Sequence, residues 1–297
     1  MLVSSSTKLP RSEWPAQLLE IPQPPDQLYL EGTLPEPGAI YLTVVGSRKY
    51  SNYGKEACEK ILAEIAPASQ SGQGQNIVIV SGLALGIDTI AHHVALANRL
   101  KTIAFPGSGL DRSVLHPHSN RRLADEIVAA GGALVSEFDP TYPAGLHTFP
   151  RRNRLMAGIA KAVLIIEAGD KSGTLITARM ATDYNRDVLA VPGSIFSGGS
   201  RGTNNLIRLG ATPITSGDDL LLALGFEVAT KEGQLALNLA DLTAPERRLV
   251  EILEIEPLPR DELIRLLGLP TSEANSLLGI MEIKGLIKET MGEIRLT

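Results

Sequence analysis

From residue 40 onward, short apolar runs rich in β-branched residues alternate with helical stretches, and glycines follow the runs. Residues 40–45 form one such run, followed by Gly46-Ser47-Arg48 and a helical stretch over 54–65. The run 77–80 leads into Ser81-Gly82 and Gly86, then a helix to Asn98. Residues 102–105 end on Pro106-Gly107-Ser108-Gly109, and a helix over 120–130 precedes a strand at 133–136. Residues 162–167 lead into Gly169-Asp170-Lys171-Ser172-Gly173-Thr174 and a helix to Tyr184; residues 188–191 lead into Pro192-Gly193-Ser194. Continuous rather than alternating apolar strands are buried on both faces, as in a parallel sheet covered by helices. Strand–helix alternation therefore predicts a doubly wound, mostly parallel α/β sheet. Ligands of such sheets sit outside the carboxyl ends of the strands, and the glycines all lie at that edge.

The flanks read differently. Residues 1–38 carry Pro10, Pro15, Pro22, Pro24, Pro25, Pro35 and Pro37. Proline fixes φ and removes a donor, so this stretch is expected to be an extended arm on the main domain, with a short helix over 14–21. The main domain spans 39–225, and 226–240 lacks periodicity and reads as a linker. Residues 241–297 form a separate small unit. Thr243-Ala244-Pro245-Glu246 has the pattern of a capping box with a proline just inside the helix. Helices are expected at 245–254, 260–267 and 271–284, stopped by Gly285, with strands 286–289 and 293–296 around Gly292. Three helices and a hairpin predict a winged helix.

Composition narrows the chemistry. A chain of 297 residues with 43% hydrophobic and 21% charged residues is ordinary for a globular protein. Its formal net charge of −5 means that nucleic-acid binding would need a local positive patch. Aromatic content of 4% leaves base stacking to a few rings. Cys58 is the only cysteine, so no internal disulfide forms, which fits a reducing, cytoplasmic compartment; its expected role is a small core residue on a helix. The first ten residues have no signal-peptide core, and no apolar run approaches the ~20 residues a membrane span needs.

Each strand-end motif has two readings. Gly46 lets backbone approach an anion, Ser47 offers a hydroxyl and Arg48 a planar fork for phosphate; alternatively this is a tight turn with a surface ion pair. Gly82 and Gly86 open a helix whose backbone N–H groups suit anions, with Asp88 capping backbone donors. Neither His92-His93 nor His116-Pro117-His118 forms a metal set. Lys171-Ser172-Gly173-Thr174 resembles half of a phosphate loop, lacks the end of a Walker motif, and also suits N-capping. Phe149-Pro150-Arg151-Arg152-Asn153-Arg154 is the most basic run; beside a ring it suits phosphates and a stacked base, against the plainer reading of a solvated charge run. Residues 198–205 are a second glycine loop, either functional or a simple connection.

Taken together, these strings resemble the DprA/Smf family of DNA-processing proteins. The strings are VVGSRKYSNYG (44–54), SGLALGIDTIAHHVAL (81–96), FPGSGLDRSVLHPHSNRRL (105–123), SEF (136–138), FPRRNRLMAG (149–158), EAGDKSGTLITARMA (167–181) and VPGSIFSGGSRGTNNLIRLGA (191–211). The resemblance implies an extended Rossmann fold that binds single-stranded DNA. It implies protection of incoming DNA during natural transformation, loading of RecA recombinase, a homodimer, and no catalysis, cofactor or metal. It carries Gly46, Ser47 and Arg48 over as the phosphate-gripping turn and Phe149 as the ring beside a base. Asn153, Arg154, Ser172, Gly173 and Thr174 fall in matching motifs. The expected DNA-binding set is completed by Gly82, Gly107, Ser108, Gly109, Arg151 and Lys171. Many members carry a helical domain before the Rossmann unit, where this sequence has the short arm. Some carry a lysine three residues before the ring, where this chain has Leu146; either one DNA contact is missing here, or Lys49, His147 or Arg151 replaces it.

The small C-terminal unit is acidic, with 7 Lys/Arg against 11 Asp/Glu over 241–297, and its helix 271–284 has no basic residue before Lys284. A groove-reading helix presents basic and amide groups, so a protein contact is the expected role. The competing enzyme reading is a nucleotide hydrolase of the lysine-decarboxylase-like (LOG) group, which needs a Gly-Thr-x-x-Glu carboxylate. Here Thr177 follows Gly173-Thr174, and threonine carries no such charge. A dinucleotide-dependent oxidoreductase would need Gly-x-Gly-x-x-Gly after the first strand, which is not there.

Overall fold

The computed structural model describes residues 6–70, 77–228, 242–284, 286–290 and 292–296. The chain divides into two compact units, Met1–Val228 and Ala229–Thr297. Most of the expected linker 226–240, and the expected helix stop Gly285, lie outside the described residues.

In the first unit, among the described residues, nine strands form one sheet: β1 (Thr7–Lys8), β2 (Tyr29–Gly32), β3 (Ile40–Val45), β4 (Ile77–Ser81), β5 (Lys101–Ala104), β6 (Ala133–Ser136), β7 (Ala162–Ile165), β8 (Asp187–Ala190) and β9 (Thr212–Pro213). Their order is β1-β2-β6-β5-β4-β3-β7-β8-β9. From β6 to β9 every pairing is parallel, while β1 and β2 add antiparallel at one edge. Helices α1 (Asn52–Gln70), α2 (Ile87–Ala97), α3 (Arg121–Ala129), α4 (Thr148–Ile159), α5 (Thr174–Asp183), α6 (Arg201–Arg208) and α7 (Gly217–Ala223) connect the strands.

The continuous apolar runs act as expected of two-faced strands. Ile40, Leu42 and Val44 of β3 pack with Ile61, Leu62 and Ile65 of α1 on one face. Tyr41 and Val45, pointing the other way, pack with Leu155, Met156 and Ile159 of α4 on the second face. Cys58 is buried in the first of these cores, and burial pushes its thiol pKa up. α1 runs beyond its expected end through Pro67, because Ile65 and Ala66 are still anchored in the core.

The proline-rich arm is more than a packed arm. Its β2 pairs with β6, with Leu30 opposite Val135, and so extends the sheet. Between the two strands, Trp14, Leu18 and Ile21 are buried in the α4-side core. The short helix expected at 14–21 is replaced by 3-10 turns at Arg11–Glu13 and Ala16–Leu18, each preceded by a proline that fixes its entry.

The second unit has helices Ala244–Leu253, Arg260–Leu267 and Thr271–Ile283 and the hairpin Ile287–Thr290/Glu293–Leu296. Leu258–Pro259 adds a third strand beside Glu293–Ile294. Leu249, Leu263, Leu278, Met281 and Ile294 form its own core, giving the expected winged helix.

Candidate functional site

β3 pairs with β4 on one side and with β7 on the other. The chain winds outward from β3 through β4, β5 and β6, crosses back by α4, and winds the other way through β7 and β8. The sheet therefore has a topological switch point between β3 and β7, where doubly wound folds leave a crevice. A cleft of about 670 Å3 opens there, lined by the 46–49 turn, the 169–174 loop and the first turns of α4.

The 46–49 turn is fixed against the start of α2. Gly86 takes φ +86°, and a Cβ there would meet the Ser47 carbonyl oxygen at 2.3 Å. Ile87 N donates to that same oxygen at 3.2 Å. The Ser47 hydroxyl, expected as a ligand donor, instead donates to Lys49 O at 2.7 Å and accepts from Lys49 N at 3.1 Å. Its work is to close the turn. Arg48 is exposed and has no ion pair among the described residues; its guanidinium stacks over the Phe149 ring at 5.2 Å. The alternative of a turn with a surface ion pair thus lacks its carboxylate.

The opposite wall is tied to this turn. Thr174 Oγ1 donates to Gly46 O at 3.1 Å, and Ser172 Oγ donates to Thr174 Oγ1 at 3.0 Å. Ser172 Oγ also accepts from Thr174 N at 3.3 Å, closing the loop, but the N-cap position is Gly173 and has no side-chain cap, so neither Ser172 nor Thr174 is the expected N-cap. Lys171 and Gly173 are exposed on it.

Beneath the cleft lies a buried pair of opposite charges. Asp88 Oδ2 accepts from Gly82 N at 3.2 Å and Ala84 N at 3.3 Å. Arg152 donates from Nη1 to Phe105 O at 2.7 Å and to Gly82 O. Burial pushes the Asp88 carboxyl pKa up while Arg152 pulls it down, and burial pushes the Arg152 guanidinium pKa down against the pull of Asp88. The pair fastens α4 to the ends of β4 and β5.

Of the expected site residues, Gly46, Ser47, Arg48, Phe149, Asn153, Lys171, Ser172, Gly173 and Thr174 line the cleft together. Six do not. Gly82 is buried under Arg152. Gly107 is the shelf beneath Phe149, whose Cδ1 a Cβ at this position would meet at 2.5 Å. Ser108 is fully buried and donates to Gly109 O at 2.9 Å. Gly109 is packed against the carbonyls of Asp139 and Pro140. Arg154 is buried, donating to Glu137 and, at 2.7 Å, to Gln23 O. Arg151 donates to the same Glu137 at 3.1 Å and stacks over Phe138 at 5.1 Å. The reason is helical geometry: in α4, Arg151 and Arg154, three residues apart, share the face toward Glu137, while Arg152 projects with Phe149 and Asn153 toward the cleft, so a basic run in sequence is not one basic face.

Sequence reasoning left two basic cleft residues out of the expected set. Arg152 sits in the basic run, and its burial follows from its place one helical turn after Phe149. Lys49 adjoins Arg48, and its exposure at the cleft is a matter of the turn alone. Arg48, Lys49, Arg152 and Lys171 thus face one carboxylate, Asp88, in a chain of net charge −5. His116, its ring centroid 5.9 Å from that of Phe149, is held below the usual histidine range by burial, then by His118 and Arg48.

Residues 7–225 match the family described as DNA recombination-mediator protein A, and residues 234–293 match the DprA winged helix domain. Protein Smf of Escherichia coli is 36% identical over 284 residues, which cover 94% of this chain and 74% of the relative. DNA processing protein DprA of Streptococcus pneumoniae is 42% identical over 214 residues, 72% of each chain. The X-ray structure of DprA from that species matches with TM-score 0.67 at 38% identity, over 76% of each chain. DNA processing protein A of Helicobacter pylori, whose structure addresses its single-stranded DNA binding mode, matches with TM-score 0.64 at 28% identity over 75% of this chain and 98% of that one. On these matches the chain belongs to the DNA recombination-mediator protein A (DprA/Smf) family.

Proposed function

We propose that this chain binds single-stranded DNA in the cleft between β3 and β7. In this reading Arg48, Lys49 and Lys171 take phosphates, with the backbone of Gly46 and of residues 172–174 and the amide of Asn153 beside them. Phe149 supports a base. The single observation that carries the reading is the concentration of cations around one partly exposed ring at the switch point of a net acidic chain. One nucleotide would need one phosphate seat; exposed cations on both walls of the cleft, Arg48 and Lys49 on one and Lys171 on the other, suit a chain of phosphates.

Family membership supports a wider role, which we propose as well. The protein acts in the cytoplasm as a homodimer, protects incoming strands in natural transformation and helps load RecA onto them. It uses no cofactor and changes no covalent bond. Residues 39–225 carry the DNA site, and 226–240 link it to a winged-helix unit that contacts protein rather than duplex. In support, the helix Thr271–Ile283 has no basic residue and leaves Ile280 and Ile283 exposed. A hydrolase of the LOG group is disfavoured because the cleft residue in place of its carboxylate is Thr177, itself buried.

The test is titration of a labelled oligothymidine by fluorescence anisotropy over a range of salt, with duplex as competitor. Tight, salt-dependent binding that duplex does not displace is the expected result. Equal affinity for duplex, or release of base from nucleoside monophosphates, would overturn the reading.

A further inference from the structure

The loop that follows β8, residues 191–199, lies on the same carboxyl edge as the cleft, one strand beyond β7. It is firmly built. Tyr53 Oη donates to Pro192 O. The Asn204 amide brackets Gly193, donating to its carbonyl at 2.9 Å and accepting from its N–H at 3.2 Å. Phe196 N donates to Ser194 Oγ at 3.2 Å, and Ser197 N donates to Ser194 O at 3.0 Å. The far end of the loop is bonded to the strand end that carries the cleft wall: Ala168 N donates to Gly199 O at 2.9 Å, and Gly202 N to Ala168 O at 2.8 Å. On this fixed turn Ile195 is 78% exposed and Phe196 93% exposed. Single exposed apolar side chains are ordinary. Two large ones side by side on a turn this well bonded, next to a cationic cleft, are not.

We infer that Ile195 and Phe196 form a second stacking platform, which takes bases of a single strand after it leaves the cleft over the 169–174 loop. The inference rests on the single-stranded DNA reading of the cleft and extends it. Neighbouring strands lie about 4.8 Å apart, so the end of β8 lies about 10 Å from that of β3, a span of roughly three stacked nucleotides. Exposed cations stand along the way. Lys171 is on the cleft wall, and Arg201, at the start of α6, has among the described residues only a 3.5 Å ion pair, to exposed Asp170. The size of the tip selects the occupant. Two side chains fall far short of the roughly 800 Å2 per partner that a stable protein interface buries, whereas a base needs one ring face.

The experiment compares the full-length wild type with Phe196→Ala, Phe196→Trp and Arg48→Ala, using oligothymidines of about six and about fifteen residues. Anisotropy reads affinity and sedimentation reads oligomeric state. Phe196→Ala is expected to lose about ten-fold in affinity for the longer strand only, with an unchanged salt slope, because no phosphate contact is removed. Phe196→Trp restores binding, and Arg48→Ala weakens both lengths. Wild-type affinity of Phe196→Ala for the longer strand overturns the platform and leaves the cleft reading intact. Equal loss for both lengths, or a changed oligomeric state at unchanged affinity, also overturns it. Failure of the wild type to bind either strand removes the cleft reading and the platform together.

Discussion

The guanidinium carbon of Arg48 lies 5.2 Å from the centroid of the Phe149 ring, joining the end of β3 to the first turn of α4 across the cleft. A cation–π contact contributes about 0.5–2 kcal/mol depending on desolvation, enough to hold the fork over the cleft before any ligand arrives. Arg48→Ala is expected to weaken oligothymidine binding by at least about ten-fold, and to reduce the slope of log K against log salt by about 0.7 for the lost phosphate contact. Arg48→Lys restores the slope but only part of the affinity, since an ammonium lacks the planar fork. Phe149→Ala costs about ten-fold with the slope unchanged. Because the two residues touch, the double substitution costs less than the sum of the singles. Salt-dependent anisotropy on the four variants checks each statement, and additive losses would dissociate the pair.

Phe149 depends on a residue that never meets the cleft. Its ring lies on Gly107, where a Cβ would come within 2.5 Å of Cδ1 and 2.7 Å of Cε1. Gly107→Ala is expected to lift the ring away, lowering oligothymidine affinity about as much as Phe149→Ala while costing roughly 1–3 kcal/mol of stability from overpacking. Urea unfolding followed by the fluorescence of buried Trp14, run beside the binding titration, separates the two effects. Full affinity in Gly107→Ala would show that the shelf does not position the ring.

These cases mark what the sequence makes legible. Apolar run lengths placed β3 to β8 because burial on both faces leaves an unmistakable pattern, and glycines at strand ends placed the cleft's edge. The antiparallel β2 was not legible, because Tyr29–Gly32 is too short and mixed to stand out from a proline-rich arm. Nor was the division of labour among strand-end glycines. Gly46 lines the cleft while Gly107 carries a ring from below, a difference set by which element crosses above. Arg154 reads as a ligand in a basic run, but Glu137, just past the end of β6, claims it, and pairing across elements leaves no local signal.

Asp88 and Arg152 should behave as a structural pair. Asp88→Ala removes the acceptor for two backbone N–H groups and leaves Arg152 buried beside no counter-charge, at an expected cost of about 3 kcal/mol. Arg152→Met leaves the Gly82 and Phe105 carbonyls without their donor and should cost a similar amount. Trp14-detected urea unfolding measures both; losses under about 1 kcal/mol would mean that the pair is dispensable to the fold.

His92 should make the Rossmann unit acid-sensitive. The Thr102 hydroxyl donates to Ile79 O at 2.9 Å, so at 2.8 Å it accepts from His92 Nδ1–H, leaving the buried Nε2 bare. Burial, then His93 and Arg152, lowers the His92 pKa to about 3 from 6.5. Because the folded value is depressed, the unfolded chain binds a proton below pH 6.5 that the folded chain refuses. Stability is full above that value and falls as pH drops toward 3, by up to about 1.4 kcal/mol per pH unit from this group. His92→Asn keeps an N–H donor for Thr102 and should flatten the profile in this window. An unchanged acid slope in the variant would assign the sensitivity to other groups.

The winged-helix unit carries a shift in the same direction from the opposite cause, partners that favour the charged form. Glu246 accepts from Lys284 Nζ at 2.6 Å, from Thr243 N at 2.8 Å and from the Thr243 hydroxyl at 2.9 Å, and these partners, Lys284 first, hold its carboxyl at about 2 rather than 4.5. A depressed carboxylate stabilises the fold above its unfolded value and loses that contribution as pH falls through the folded one. The unit should therefore be insensitive to pH from 7 to about 5 at this group and weaken between 4.5 and 2. Lys284→Met is expected to cost about 1–2 kcal/mol at neutral pH and to move the acid transition toward 4.5. The unit contains no aromatic residue from 242 onward, so hydrogen exchange of the amides in Ala244–Leu253, resolved by mass spectrometry, is the suitable measurement. Unaltered protection of that helix in Lys284→Met at pH 3 would show that the capping box holds without its lysine.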